Sequence, residues 1–187
     1  DKGAVILKML MGLCEPQRGQ VLINGQSLYE MSFQEFNHFR LNMGYGFSWG
    51  GLLSNKTLRD NLLFPFLYHF EEYEKAEAKV DQMINDLGIR MWAGKRPSES
   101  PGTYRKLTCL MRLMLTEPQV FLLDEPLAGV SPTATEYCSE WFKNFRAHRK
   151  DTIFLLNSEN AKLIGFENFQ VHVFKEDPLS KPAGASA

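Results

Sequence analysis

Apolar and polar positions along the chain follow two periods. Ile6, Leu7, Met9, Leu10 and Leu13 recur at helical spacing, which predicts a helix over 5–13, stopped near Gly12 and released into a turn at Glu15, Pro16 and Gly19. Residues 21–23 read as a short strand closed by Asn24-Gly25, a strong turn pair. A short helix is expected over 32–40 and a strand over 43–47. The apolar run at 57–70 is mostly helical, and Pro65 must start, break or kink it. From 71 to 87 the chain is charged but carries one apolar face of Ala76, Val80, Met83, Ile84 and Leu87, an amphipathic helix that Gly88 is suited to cap.

Gly94, Pro97, Pro101 and Gly102 predict a loop over 92–104, followed by a helix over 105–116. The continuous apolar runs at 120–123 and 152–156 read as strands buried on both faces of a parallel sheet, with a helix over 134–149 between them. A late strand is expected at 171–174, and the Pro/Ala/Gly/Ser tail at 177–187 reads as mobile. Helices alternating with apolar strands give an α/β fold. The expected organisation is an α/β core over 1–46 and 105–176, interrupted by a mainly helical subdomain over 47–104. The first helix starts abruptly, with no strand before it, so the natural polypeptide is expected to begin earlier than Asp1.

Composition narrows the picture. With 187 residues, 44% of them hydrophobic, the chain is long enough for one sizeable core. A net charge of -1 and the lack of a basic block leave no electrostatic footprint for nucleic acid. Cys14, Cys109 and Cys138 lie far apart, without metal-ligand spacing, and read as small buried hydrophobes in a reducing compartment. No apolar run reaches the roughly 18 residues that would span a bilayer.

The segment TEPQVFLLDEP, 116–126, carries the most specific chemistry. An apolar strand ending in Asp124 and Glu125 puts two carboxylates at the carboxyl edge of a sheet, where α/β proteins bind ligands. In phosphoryl transfer such an aspartate helps hold Mg²⁺ and its neighbour polarises the attacking water. On this segment alone, a solvated surface turn accounts for the two acids equally well.

Together with its neighbours, this segment resembles the ABC (ATP-binding cassette) ATPase family, whose Walker B strand is four apolar residues followed by DEP. KRPSESPGTYRKLTCLMRLMLTEPQ has the layout of the family's signature loop and helix. NMGYGFSWGGLLSNKTLRDNLLFPFLYH looks like its Q-loop and following segment, and VILKMLMGLCEPQRGQVLINGQSL like the helix after Walker A with the next strand. The resemblance covers roughly residues 2–175 in order. It implies a P-loop nucleotide-binding domain with a parallel-sheet core and a helical subdomain, its N-terminal strands lying before the sequence in hand.

The same alignment exposes departures. It places Gly3 where the phosphate-binding lysine belongs, with Lys2, Ala4 and Val5 replacing the glycine, the magnesium-binding hydroxyl and the residue after it. A phosphate cradle of this kind needs the lysine charge and the hydroxyl ligand. Slipping by one residue makes Lys2 the lysine, but needs an insertion in the helix and leaves Gly3 at the hydroxyl position. Ser48 stands at the Q-loop glutamine, Ser131 at the D-loop aspartate and Ser158 at the switch histidine. The signature positions read Ser100, Pro101, Gly102, Thr103 and Tyr104, with one glycine kept and a proline that has no amide hydrogen to offer. Asp124 and Glu125 remain as vestigial Walker B acids.

The resemblance therefore implies a degenerate, non-hydrolysing ABC subunit, with no cofactor expected. It would be peripheral on the cytoplasmic face of a bacterial inner membrane and would partner membrane-embedded permease subunits. An identical or active ABC subunit would be its dimer partner. A divergent but active ATPase using Mg-ATP, and a soluble interaction protein on the same fold, are the alternatives. The run GGLLSNKTLRDNLLFPFLYH is most similar to cassettes of Mce-type bacterial lipid transport. Leu52, Leu53, Phe64, Phe66 and Tyr68 are the expected docking face for a permease helix.

Overall fold

The computed structural model describes residues 2–48, 51–69 and 73–158, with backbone alone at 68 and 69. In chain order the elements are α1 (Lys2–Leu10), the hairpin β1 (Leu22–Ile23) and β2 (Gln26–Ser27), α2 (Phe33–Arg40) and β3 (Met43–Gly46). There follow α3 (Leu58–Leu63), α4 (Phe66–His69), α5 (Tyr73–Asp86), α6 (Arg90–Ala93), α7 (Gly102–Thr116), β4 (Val120–Asp124), α8 (Pro132–His148) and β5 (Ile153–Asn157). The strand and tail expected at 171–174 and 177–187 lie outside the described residues.

β4 is central, pairing in parallel with β3 on one side and β5 on the other. Its side chains alternate, as any strand's must. Phe121 and Leu123 enter a core shared with α3, α5, α7 and α8, while Leu122 packs with Leu7 and Tyr45 beneath α1. All three β4 residues are fully buried, and each such side chain contributes about 1.5–3 kcal/mol. Phe121 stacks on Phe154 at 4.6 Å and meets Phe142 edge-on at 5.8 Å, which ties β5 and α8 to β4. On β3, Gly44 faces α7 so closely that a Cβ there would lie 2.6 Å from Leu113 Cδ2 and from Pro118 Cγ.

Caps and turns formed where local sequence dictates them. Ser32 and Thr57 close capping boxes with Glu35 and Asp60. Asn24 and Gly25 both take positive φ in the β1–β2 turn. The apolar run at 57–70 is two helices, separated at Phe64 and Pro65.

Four expectations need correction. The helix expected at 105–116 starts at Gly102, because Pro101 sits at the N-cap, where no amide hydrogen is needed for the helix ladder. The preceding loop also contains α6 and a 3₁₀ turn at Pro97–Glu99. β5 is not buried on both faces: Phe154 and Leu156 join the main core, but Ile153 and Leu155 are 53% and 39% exposed. An apolar run cannot distinguish one-sided from two-sided cover. Cys109 and Cys138 are buried, but Cys14 is half-exposed.

Candidate functional site

The carboxyl ends of β4 and β5 meet the first turn of α1. Asp124 ends β4 with only 5% exposure. The chain then turns sharply, because Glu125 adopts a left-handed φ of 43° while its N–H donates to Asn157 O at 2.7 Å. Both acids accept hydrogen bonds from the end of β5. Asn157 Nδ2 donates to Asp124 Oδ1 at 2.7 Å, and Ser158 Oγ donates to Glu125 Oε2 at 3.0 Å.

Gly3 reaches the same corner. A Cβ added at Gly3 would stand 2.1 Å from Asn157 Oδ1 and 2.5 Å from Asn157 Cγ. Lys2 is exposed and Val5 is 42% exposed, on the outer side of α1. The fold thus gathers residues 3, 124, 125, 157 and 158 into one cluster, with Ala4 next to Gly3 in the chain. Asn157 belongs to it although sequence reasoning passed over it; its place directly before Ser158, at the end of an apolar strand, was the available signal.

Ser48 takes part through its backbone. Its carbonyl and that of Phe47 accept hydrogen bonds from Lys106 Nζ at 2.5 and 3.2 Å. Lys106 is 6% exposed, and burial pushes its pKa down, while Cys109, Asp124 and Glu125 nearby pull the other way. A charge tucked into α7 between the loop at 47–48 and the two acids was also missed. Its spacing from Cys109 and Leu110, three and four residues on, marks it as lying on the buried face of the helix.

The signature-like residues form a cluster of their own. Ser100 is buried and its hydroxyl donates to Arg96 O at 2.9 Å. Arg105 Nη1 donates to the carbonyls of Pro97 and Ser100 at 3.0 and 3.1 Å. Pro101 and Gly102 are exposed; Gly102, Thr103 and Tyr104 make the first turn of α7, and Tyr104 stacks on Trp92 at 5.3 Å. Ser131 caps α8 by accepting from Ala134 N.

The expected docking face is only partly a surface. Leu53 is 36% exposed, and Leu52 and Phe64 are half-buried. Phe66 corrects the expectation: it is 6% exposed and packs into the main core, because the chain turns inward after Pro65. The side chain of Tyr68 lies outside the described residues. Beside this segment, a groove of about 490 Å³ is lined by Met11, Arg40, Met43, Pro65 and Thr116 among others.

A magnesium triphosphate calls for positive charge and metal-ligating oxygens at such a corner. Gly3 has no charge, Ala4 has no oxygen, and one oxygen of Asp124 already holds an amide proton.

A parallel sheet with two acids at the carboxyl end of its central strand, a capping α1 and a helical block at 58–99 defines an ATP-binding-cassette architecture. The family profile described as ABC transporter matches residues 4–128, and this chain belongs to that family. It is 32% identical over 157 residues to the probable ribonucleotide transport ATP-binding protein mkl of Mycobacterium leprae, covering 82% of this chain and 44% of that protein. It is 25% identical over 156 residues to the methionine import ATP-binding protein MetN of Caulobacter vibrioides, covering 83% of this chain and 47% of that one. The chain therefore spans under half the length of these curated relatives. Among solved structures, a dimeric bacterial ABC transporter cassette superposes with a TM-score of 0.69 at 17% identity, covering 81% of this chain and 67% of that chain. An ATP-binding subunit of an ABC transporter gives 0.61 at 21% identity, covering 78% and 59%.

Proposed function

We propose that this protein is an ABC transporter subunit that has lost ATP hydrolysis and serves membrane-embedded permease subunits as a structural or regulatory partner. The observation that carries this reading is the bonding of Asp124 and Glu125 to Asn157 and Ser158, beside a Gly3 that has neither charge nor room for a side chain. Triphosphate binding in such a site depends on convergent positive charge and a metal ligand from α1. With neither available, the protein binds no Mg-ATP of useful affinity, and no cofactor is needed for its role. It works at the cytoplasmic face of a bacterial inner membrane, paired with an identical or an active cassette.

Calorimetry of the full-length protein with millimolar Mg-ATP tests the reading, alongside phosphate release by the wild type and Glu125→Gln. Silence in both supports it. Micromolar binding, or release that Glu125→Gln abolishes, establishes instead a divergent working ATPase. That second reading draws on the retained Asp124–Glu125 pair and on the ATP-binding proteins among the relatives.

The permease contact is assigned to Leu52, Leu53 and Phe64 with the adjoining groove, and no longer to Phe66. Leu53→Asp in a folded protein should reduce co-purification with the permease. For cargo, the likeness of residues 50–69 to Mce-type cassettes favours lipid, whereas the mycobacterial relatives are named for ribonucleotides. Transport by the reconstituted complex, with labelled phospholipid against labelled ribonucleotide, separates the two.

A further inference from the structure

The strand end that replaces the switch region does more than fill space. The amide of Asn157 lies between Gly3 and Asp124: its Nδ2 donates to Asp124 Oδ1 at 2.7 Å, while its Oδ1 occupies the place where any Cβ on residue 3 would have to go. Any side chain at residue 3 must push the amide aside. Because the amide is bonded to Asp124, that displacement strips the acid of its partner.

We propose that Asn157 is a built-in occupant of the nucleotide corner, an internal ligand that takes the coordinating face of Asp124, and that Gly3 is the residue that makes room for it. The inference rests on the reading of a site closed to Mg-ATP and adds a physical cause. The site is not merely lacking a lysine; it is filled. A buried aspartate with neither a cation nor a donor pays a heavy desolvation penalty, so loss of the metal calls for a neutral donor in its place. An asparagine amide supplies one with no net charge. The arrangement makes a specific statement about repair: restoring the α1 side chains alone fails, because the new residue at position 3 and Asn157 compete for one volume.

A thermal double-mutant cycle on the full-length protein tests the coupling without nucleotide. Gly3→Ala should lower the melting temperature of the wild type by about 2–6 °C, through crowding against the Asn157 amide. In an Asn157→Ala background the same change should be neutral or stabilising, since alanine is then simply the better helix former. Equal shifts in the two backgrounds overturn the proposal. Calorimetry then compares Gly3→Lys/Ala4→Ser with and without Asn157→Ala. The variant lacking Asn157 should bind Mg-ATP at least tenfold more tightly, and equal affinity, or no binding by either, overturns the occupant role. Micromolar binding by the wild type would sink the closed-site reading itself, whereas the melting cycle decides the Gly3–Asn157 contact whatever that result.

Discussion

Asn61 holds both backbone groups of Leu53. Its Oδ1 accepts from Leu53 N at 2.7 Å and its Nδ2 donates to Leu53 O at 3.1 Å, with the carbonyl of Thr57 at 2.8 Å taking a further bond. The side chain is fully buried. One amide from α3 thereby fixes the turn between the sheet and the helical block, and with it the presentation of Leu52 and Leu53. Asn61→Ala leaves several buried groups unpaired and should cost about 1–3 kcal/mol in urea unfolding. Hydrogen exchange should accelerate at residue 53 while β4 stays protected; uniform loosening would show that Asn61 acts through the whole core.

Gly44→Ala should destabilise the fold by about 1–3 kcal/mol, because Leu113 and the Pro118 ring both stand 2.6 Å from the new methyl. Leu113→Ala in the same protein should recover part of the loss. Denaturant melts of the two single variants and the double variant check this, and strictly additive losses would contradict the close approach.

The α3–α5 link predicts a pH dependence. Asp81 is held below the usual carboxylate range, first by its hydrogen bond from Arg59 at 2.8 Å. A carboxylate whose folded pKa is lowered adds stability above its unfolded value, near pH 4, and loses it as pH falls through the folded one. Arg59→Gln should therefore lower stability at pH 7 by less than about 1 kcal/mol, since the pair is half-exposed and screened. The difference should shrink as pH falls below about 4. A deficit unchanged between pH 7 and pH 2 would assign the effect to packing.

Burial pushes the Cys138 thiol up to about 12 and raises Cys109 as well. Because the thiolate is the reactive form, iodoacetamide at about pH 8 should label Cys14 alone in the native protein and all three cysteines in urea. Mass spectrometry of the labelled peptides reads the outcome. Native labelling of Cys138 would mean that α8 is not seated on the core.

Much of the fold was legible before any coordinates. Local rules placed Ser32 and Thr57 at helix starts, Asn24-Gly25 in a hairpin and Gly88 after α5, because capping and turn geometry are settled within a few residues. The helical period exposed the buried face of α5, and the run before Asp124 marked a central strand. The order of motifs was enough to indicate the family.

Sequence by itself thus determined most of the elements and the family. Tertiary structure alone decided what each residue touches. Phe66 and Lys106 went inside, Ile153 and Leu155 stayed on an open face, and Asn157 came to lie against Gly3, 154 positions away in the chain (157 − 3). The physical reason is range. Periodicity and capping act over one or two turns, whereas burial and hydrogen-bond partnership depend on which distant segment arrives, and no local pattern encodes that arrival.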